Sequence, residues 1–274
     1  MAYKRILTIQ DISCVGQCSM TVALPILSAC GHEVCILPTA VLSTHTGGFG
    51  KPAVVHLDAA VEPFLRHWQE NGIAFDAILV GYIGNVRGVQ TVREIAHTLL
   101  APDGVLIVDP ACADHGKIYS GLSEAYVREM EQLCRKADII LPNITEAALF
   151  SGQEYREDLE EAYVDRLLKT LNHPQVVLTG VGYREGETGV VLQQKAHRIH
   201  YSHRKHGKRY HGTGDMFAAS FTGALLQGKP MEDSVRIAAD YVCRCIVNTM
   251  DNPAHWYGVK FETALPYLMR ELDL

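Results

Sequence analysis

RILTIQDISCVGQCSMTVALPILSACGHEVCILPTAVLS, residues 5–43, decides the fold class. Its first apolar run (5–10) reads as a buried strand. A longer run (19–31) reads as a helix stopped by Gly31, and a third (33–43) as another strand. Strand, helix, strand in that order is the repeating unit of a parallel sheet. Strand–helix alternation with apolar strand runs implies a sheet covered on both faces.

The alternation continues outward from that unit. A glycine-rich loop (45–51) and a helix with an acidic start and Pro63 near its beginning (58–72) come next. They are followed by a strand (77–84), a helix (87–100) and a strand (104–110). A helix (122–137) leads into a strand (138–143), a short helix in TEAALFSG, a longer helix near 157–172 and a strand (175–180). GVVLQQ (189–194) and HRIHYSH (197–203) look like an antiparallel pair, and the remainder is mostly helical. No repeat, low-complexity linker or break in composition divides the chain. The expected architecture is therefore a single domain over 1–274, a three-layer α/β/α arrangement with a mostly parallel central sheet.

Composition narrows the function classes. Of 274 residues, 47% are hydrophobic and 20% charged, with a net charge of −6, so no nucleic-acid-binding surface is expected. The first residues lack the long apolar core of a signal peptide. No stretch has the uninterrupted apolar length of a membrane span. The eight cysteines form no CxxC pair and several sit in apolar runs, which fits reduced, packed thiols in the cytoplasm and not a zinc site.

Ligands of such sheets gather at the carboxyl ends of the strands. There the sequence places Asp11, the segment from Thr44 to Gly50, Gly81 with Tyr82, Asp109 with Pro110, the segment from Asn143 to Glu146, and Thr179 with Gly180. HGTGDMFAAS (211–220) adds a loop that opens a helix. Gly212, Thr213 and Gly214 can turn their N–H groups toward one point at the positive end of that helix, an anion site suited to phosphate. Asp215 falls in the first turn beside it, where it serves either as a helix-end acid, with Thr213 as a possible cap, or as a general base for phosphoryl transfer. Asp109, Asn143 and Glu146 supply oxygen ligands suited to Mg²⁺ held partly through water. The spacing N-I-T-E equally fits a capping box, so Asn143 admits both a cap and a ligand reading.

Other chemistries lack their signatures. There is no GxxxxGK[ST], no GxGxxG after a strand, no GxSxG and no HExxH. Segment 197–211 holds five histidines, four of them at every third residue (197, 200, 203 and 206). That spacing does not share one side of a strand, so a solvated hairpin edge is expected there instead of a metal site. Some of its cations are candidates for nucleotide phosphates.

GTGD at a late helix, PN-x-x-E after a middle strand and DP before it resemble the ribokinase-like superfamily of ATP-dependent small-molecule kinases, over essentially the whole chain. TAVLSTHTGGFG, VGYIG (80–84) and DPACADHGKIY (109–119) are similar to segments of its pyridoxal kinase family. The resemblance implies ATP-dependent phosphorylation of the hydroxymethyl group of a vitamin B6 vitamer by a homodimer using Mg²⁺, with a monovalent cation such as K⁺ left open. It implies Asp215 as the base and Gly212, Thr213 and Gly214 as the anion hole. Asp109 and Glu146 would organise metal and phosphates, Asn143 and Thr179 would contact the nucleotide, and His45, Thr46, Gly47 and Tyr82 would line the vitamin ring. Asp11 departs from the family's serine. It would pair with a protonated ring nitrogen or an exocyclic amine, or, with Ser13, cap the following helix. An acid near this place also occurs in the sister hydroxymethylpyrimidine kinases, whose Gly-Gly-Ala-Gly and Thr-Ala-Gln-Asn segments are not found here.

Overall fold

The computed structural model describes residues 2–195, 197–206 and 210–274. Of the basic segment 197–211, Gly207, Lys208 and Arg209 lie outside the described residues, and with them two of the cations considered for phosphate contact.

The strands are β1 (Arg5–Ser13), β2 (Glu33–Leu42), β3 (Val54–His56), β4 (Phe75–Val80), β5 (Leu100–Val108), β6 (Ala113–Asp114), β7 (Lys117–Ile118), β8 (Ile139–Ile140), β9 (Gln175–Thr179), β10 (Glu187–Gln194) and β11 (His197–Arg204). Nine form one sheet in the order β11-β10-β9-β8-β5-β4-β1-β2-β3, while β6 and β7 make a separate hairpin. The middle six, β9 to β2, run parallel, and the flanking pairings at both edges are antiparallel.

Successive side chains of a strand point to opposite faces, and the apolar runs divide accordingly. Leu7, Ile9, Ile78, Val80, Leu106 and Val108 enter one core, while Ile6, Ala77, Leu79 and Ile107 enter the other. Over the first core pack α2 (Asp58–Glu70), α3 (Val86–Leu99), α4 (Glu124–Cys134), α5 (Ile144–Phe150) and α6 (Glu161–Leu171). Over the second pack α1 (Met20–Ala29), α7 (Thr213–Leu226), α8 (Met231–Met250) and α9 (Leu265–Glu271). The three-layer expectation holds.

Details differ from the sequence reading. The strand expected over 77–84 ends at Val80. At Gly81 the chain leaves the ladder against the Gln10 side chain, which a Cβ there would meet at 2.9 Å. The strand expected over 138–143 shrinks to Ile139–Ile140, because Pro142 and Asn143 already form the entry to α5. The helix placed near 157–172 begins at Glu161. Asp11 lies within β1 and not after it, at a register shift between Gln10 and Ile12. The short β3 and the β6–β7 hairpin carry too few residues for a periodicity signal. All eight cysteines are free, and among the described residues no helix is long and apolar enough to cross a membrane.

Candidate active site

Helix α7 is buried from Met216 through Ala224, apolar on all sides because α1, α8 and the sheet enclose it. Its rigid seat fixes the start of the helix. Gly212 enters with φ +78, and a Cβ on it would collide with the Gln17 carbonyl oxygen, so only glycine fits. No side chain caps the helix, which leaves its first-turn N–H groups aimed into a cavity. Neither Thr213 nor Asp215 is a cap.

Asp215 is instead held from across the fold: the Ser19 N–H donates to its Oδ2 at 2.9 Å. Ser19 has φ +52, a strained conformation costing about 1–3 kcal/mol, at the entry to α1. Desolvation pushes the Asp215 carboxyl up to about 6. The Ser19 bond opposes that shift and the charge of Asp11 adds to it. At neutral pH Asp215 is thus a carboxylate basic enough to accept a proton.

Two chambers meet at this residue. One, about 410 Å³, is lined by Asp109, Asn143, Glu146, Thr179 and the loop from Gly212 to Asp215, and continues to an apolar end at Val190, Val242 and Ile246. The second, about 430 Å³, is lined by Asp11, His45, Thr46, Gly47 and Tyr82. Both share Ala111, Asp114, Tyr119, His211, Gly212 and Asp215 as their common wall. The residues given site roles by the resemblance each line one chamber or the other, whereas Thr44, Gly81 and Pro110, also at strand ends, line neither.

Their roles differ in detail. Asn143 caps α5, accepting from the Glu146 N–H at 3.0 Å, and its amide donates to the Ala113 carbonyl at 2.8 Å, so the cap reading is realised. The Glu146 carboxylate completes the capping box through the Asn143 N–H at 2.9 Å and accepts the Cys112 N–H at 2.8 Å. Together with Thr145, which accepts from Gly116 N–H at 3.0 Å, they anchor the β6–β7 hairpin over both chambers. Its turn uses positive φ at His115 and Gly116.

Among the described residues Asp109 accepts only a long bond from Ala111 N–H, 3.3 Å, and burial beside Glu146 raises its carboxyl well above the usual range. Glu146 is raised mainly by burial. A divalent cation would relieve that cost. Among the described residues no three acidic, cysteine or histidine side chains gather as a ready metal cage. Asp109 keeps oxygens open to a cation, whereas both Glu146 oxygens already accept backbone N–H bonds, so Glu146 would reach a cation only through water.

In the second chamber Asp11 is buried, with Ser13 Oγ donating to Oδ2 at 3.1 Å. Burial raises its carboxyl, with the Ser19 and Ser13 bonds opposing. It does not cap α1, whose N-cap is Ser19 without a side-chain bond. His45 uses both ring nitrogens: Nδ1 accepts from the Gly47 N–H at 3.0 Å and Nε2 donates to the Tyr257 carbonyl at 2.7 Å. It therefore fastens the glycine-rich loop to the 255–258 segment, where Trp256 and Tyr257 pack against Phe49. These contacts, like Ser19 to Asp215, join residues about 200 positions apart and leave no local sequence signal. Asp114 lines both chambers without a sequence signal, because the two-residue strands of its hairpin carry no periodicity; Tyr119, the tyrosine that ends the 109–119 segment similar to pyridoxal kinases, joins it in the shared wall. Segment 197–204 is the edge strand β11, and the expected solvated edge is what the structure shows there.

Comparison with known proteins gives a consistent outcome. Residues 27–258 match the family described as phosphomethylpyrimidine kinase. A pyridoxine/pyridoxal/pyridoxamine kinase of Bordetella avium is 30% identical, the match covering 89% of this chain and 85% of the relative. The crystal structure of pyridoxal kinase from Lactobacillus plantarum superposes with a TM-score of 0.89 at 33% identity, covering 97% of both chains. A Bacteroides thetaiotaomicron protein described as a phosphomethylpyrimidine kinase, crystallised with pyridoxal, reaches a TM-score of 0.91 at 30% identity over 99% of this chain and 96% of its own.

Proposed function

The chain belongs to the pyridoxal and phosphomethylpyrimidine kinase family of the ribokinase-like superfamily, and from that membership we propose that it transfers the γ-phosphoryl group of ATP to the 5'-hydroxymethyl group of a B6 vitamer. The observation that carries this reading is the wall shared by the two chambers, with Asp215 in it. The nucleotide occupies the chamber of Asp109, Thr179 and the apolar end, and the vitamer ring the chamber of Asp11, Thr46, Gly47 and Tyr82. Asp215 takes the proton of the hydroxymethyl group, whose oxygen attacks the γ-phosphorus. The bond to the bridging oxygen breaks and ADP leaves with the electron pair. The N–H groups of Gly212, Thr213 and Gly214 receive the charge of the transferring group. Asp109, with Glu146 through water, would hold Mg²⁺, which supplies neutralisation of phosphate charge when bound. Eight free cysteines fit a reducing cytoplasm, and family likeness supports a homodimer.

Asp11 favours a second reading at the same site. A buried carboxylate in the ring chamber accepts from a protonated pyridine nitrogen, but also from the exocyclic amine of hydroxymethylpyrimidine. ADP release with pyridoxal, pyridoxine, pyridoxamine and hydroxymethylpyrimidine, run with Asp11→Ser alongside, tests both. A B6 vitamer is expected to exceed the pyrimidine in kcat/KM by about tenfold or more, with Asp11→Ser changing that ratio. A pyrimidine preferred over all three vitamers would replace the first reading by the second.

A further inference from the structure

His211 stands immediately before the anion loop and lines both chambers. Its imidazole lies against the Cα of Gly47, where a Cβ would come within 2.6 Å of Nδ1 and 2.7 Å of Nε2, and its centroid is 4.9 Å from that of His45. Packing thus holds one face of the ring and leaves its edge, with both nitrogens, unobstructed by Gly47. His45, its neighbour, has both nitrogens engaged with protein partners, whereas no hydrogen bond is made by either nitrogen of His211 among the described residues. A ring fixed by packing and unpartnered in its polar edge, in the wall where two ligands must exchange a group, has the form of a ligand contact.

We propose that His211 is a further catalytic residue of the phosphoryl transfer, donating a hydrogen bond from its ring N–H to the phosphoryl group as it passes between the chambers. The inference rests on the kinase reading above. The residue is exposed, but partial desolvation and the neighbouring His45 still lower the ring below the ordinary imidazole range, so it acts as a neutral donor. It transfers no proton: that of the hydroxymethyl group goes to Asp215, and the electron pair of the broken P–O bond leaves with ADP. Gly47 has a second purpose on this account, since any side chain there would displace the ring.

Three variants separate a donor from a packing ring. His211→Phe keeps the ring against Gly47 and removes both nitrogens. His211→Asn and His211→Gln place an amide donor near the positions of Nδ1 and Nε2. With magnesium, ATP and whichever vitamer the wild-type protein phosphorylates best, His211→Phe is expected to lose about 100-fold in kcat with little change in vitamer KM. At least one amide variant should recover a substantial part of that loss. A His211→Phe enzyme within about threefold of wild-type kcat would overturn the assignment, as would amide variants no better than phenylalanine, or a loss confined to vitamer KM. If wild-type protein phosphorylates no vitamer, the kinase reading itself fails, an outcome distinct from an active wild type with an equally active His211→Phe.

Discussion

A Cβ added at Gly212 would strike the Gln17 carbonyl, whereas one added at Gly214 meets no protein atom within 4 Å. Gly212 is glycine for the backbone's sake, with φ +78; Gly214 sits in ordinary helix and has open cavity before it. Nothing in the protein requires a hydrogen there; on the proposed kinase reading, the open space is where the anion approaches. Gly214→Ala should therefore leave stability unchanged or raise it by up to about 1 kcal/mol, since alanine suits a helix better than glycine. It should still lower kcat/KM for ATP by about tenfold or more, the methyl group standing where the anion must sit. Thermal melting and steady-state kinetics on the same sample check this. Unchanged kinetics would remove the anion from the first turn of α7.

At the scale of elements, the seating of α7 decides whether its first turn can be a fixed site. Helices α1 and α7 touch closely enough that a Cβ at Gly223 would overlap the Cys30 side chain. His32, buried just after α1, bonds the Gly223 carbonyl through Nε2 at 3.1 Å, while its Nδ1 is buried without a partner. A neutral imidazole tolerates this; an imidazolium would bring a second N–H into an apolar setting. Burial accordingly lowers the His32 pKa below the ordinary imidazole value of about 6.5, with the Gly223 bond opposing. The folded pKa lies below the unfolded one, so the unfolded chain binds the proton more readily. Stability from this group is complete above pH 6.5 and is lost as pH falls through and below that value. The melting temperature of wild-type protein should drop more steeply between pH 7 and pH 5 than that of His32→Gln, each referred to its own value at pH 7. Parallel curves would mean His32 does not couple to folding.

For the molecule as a whole, the sheet and its two cores were legible because runs such as 77–80 and 105–108 are apolar at consecutive positions, a pattern that only cover on both faces explains. The strand-end rule then located Asp109, Glu146 and Thr179 without their contacts. What stayed hidden depends on distance along the chain or on shortness. Ser19 grips Asp215 from 196 positions away. The hairpin of Ala113–Ile118 has two residues per strand, too few for any periodicity. Asn143 and Glu146, read as nucleotide and metal groups, turn out to be anchors of that hairpin as well. His211, without a motif of its own, became interpretable only when the packing over Gly47 was visible.

On the proposed reading, Asp215 removes a proton from a vitamer hydroxyl at the wall between two chambers. Single-turnover formation of the vitamer 5'-phosphate from magnesium, ATP and the preferred vitamer, compared between wild type and Asp215→Asn with nucleotide binding measured in parallel, tests it most directly. Wild type is expected to form product, and Asp215→Asn to do so about 10²–10⁴-fold more slowly with nucleotide affinity retained and a melting temperature no lower than wild type. An Asp215→Asn protein that forms product at near the wild-type rate would contradict it.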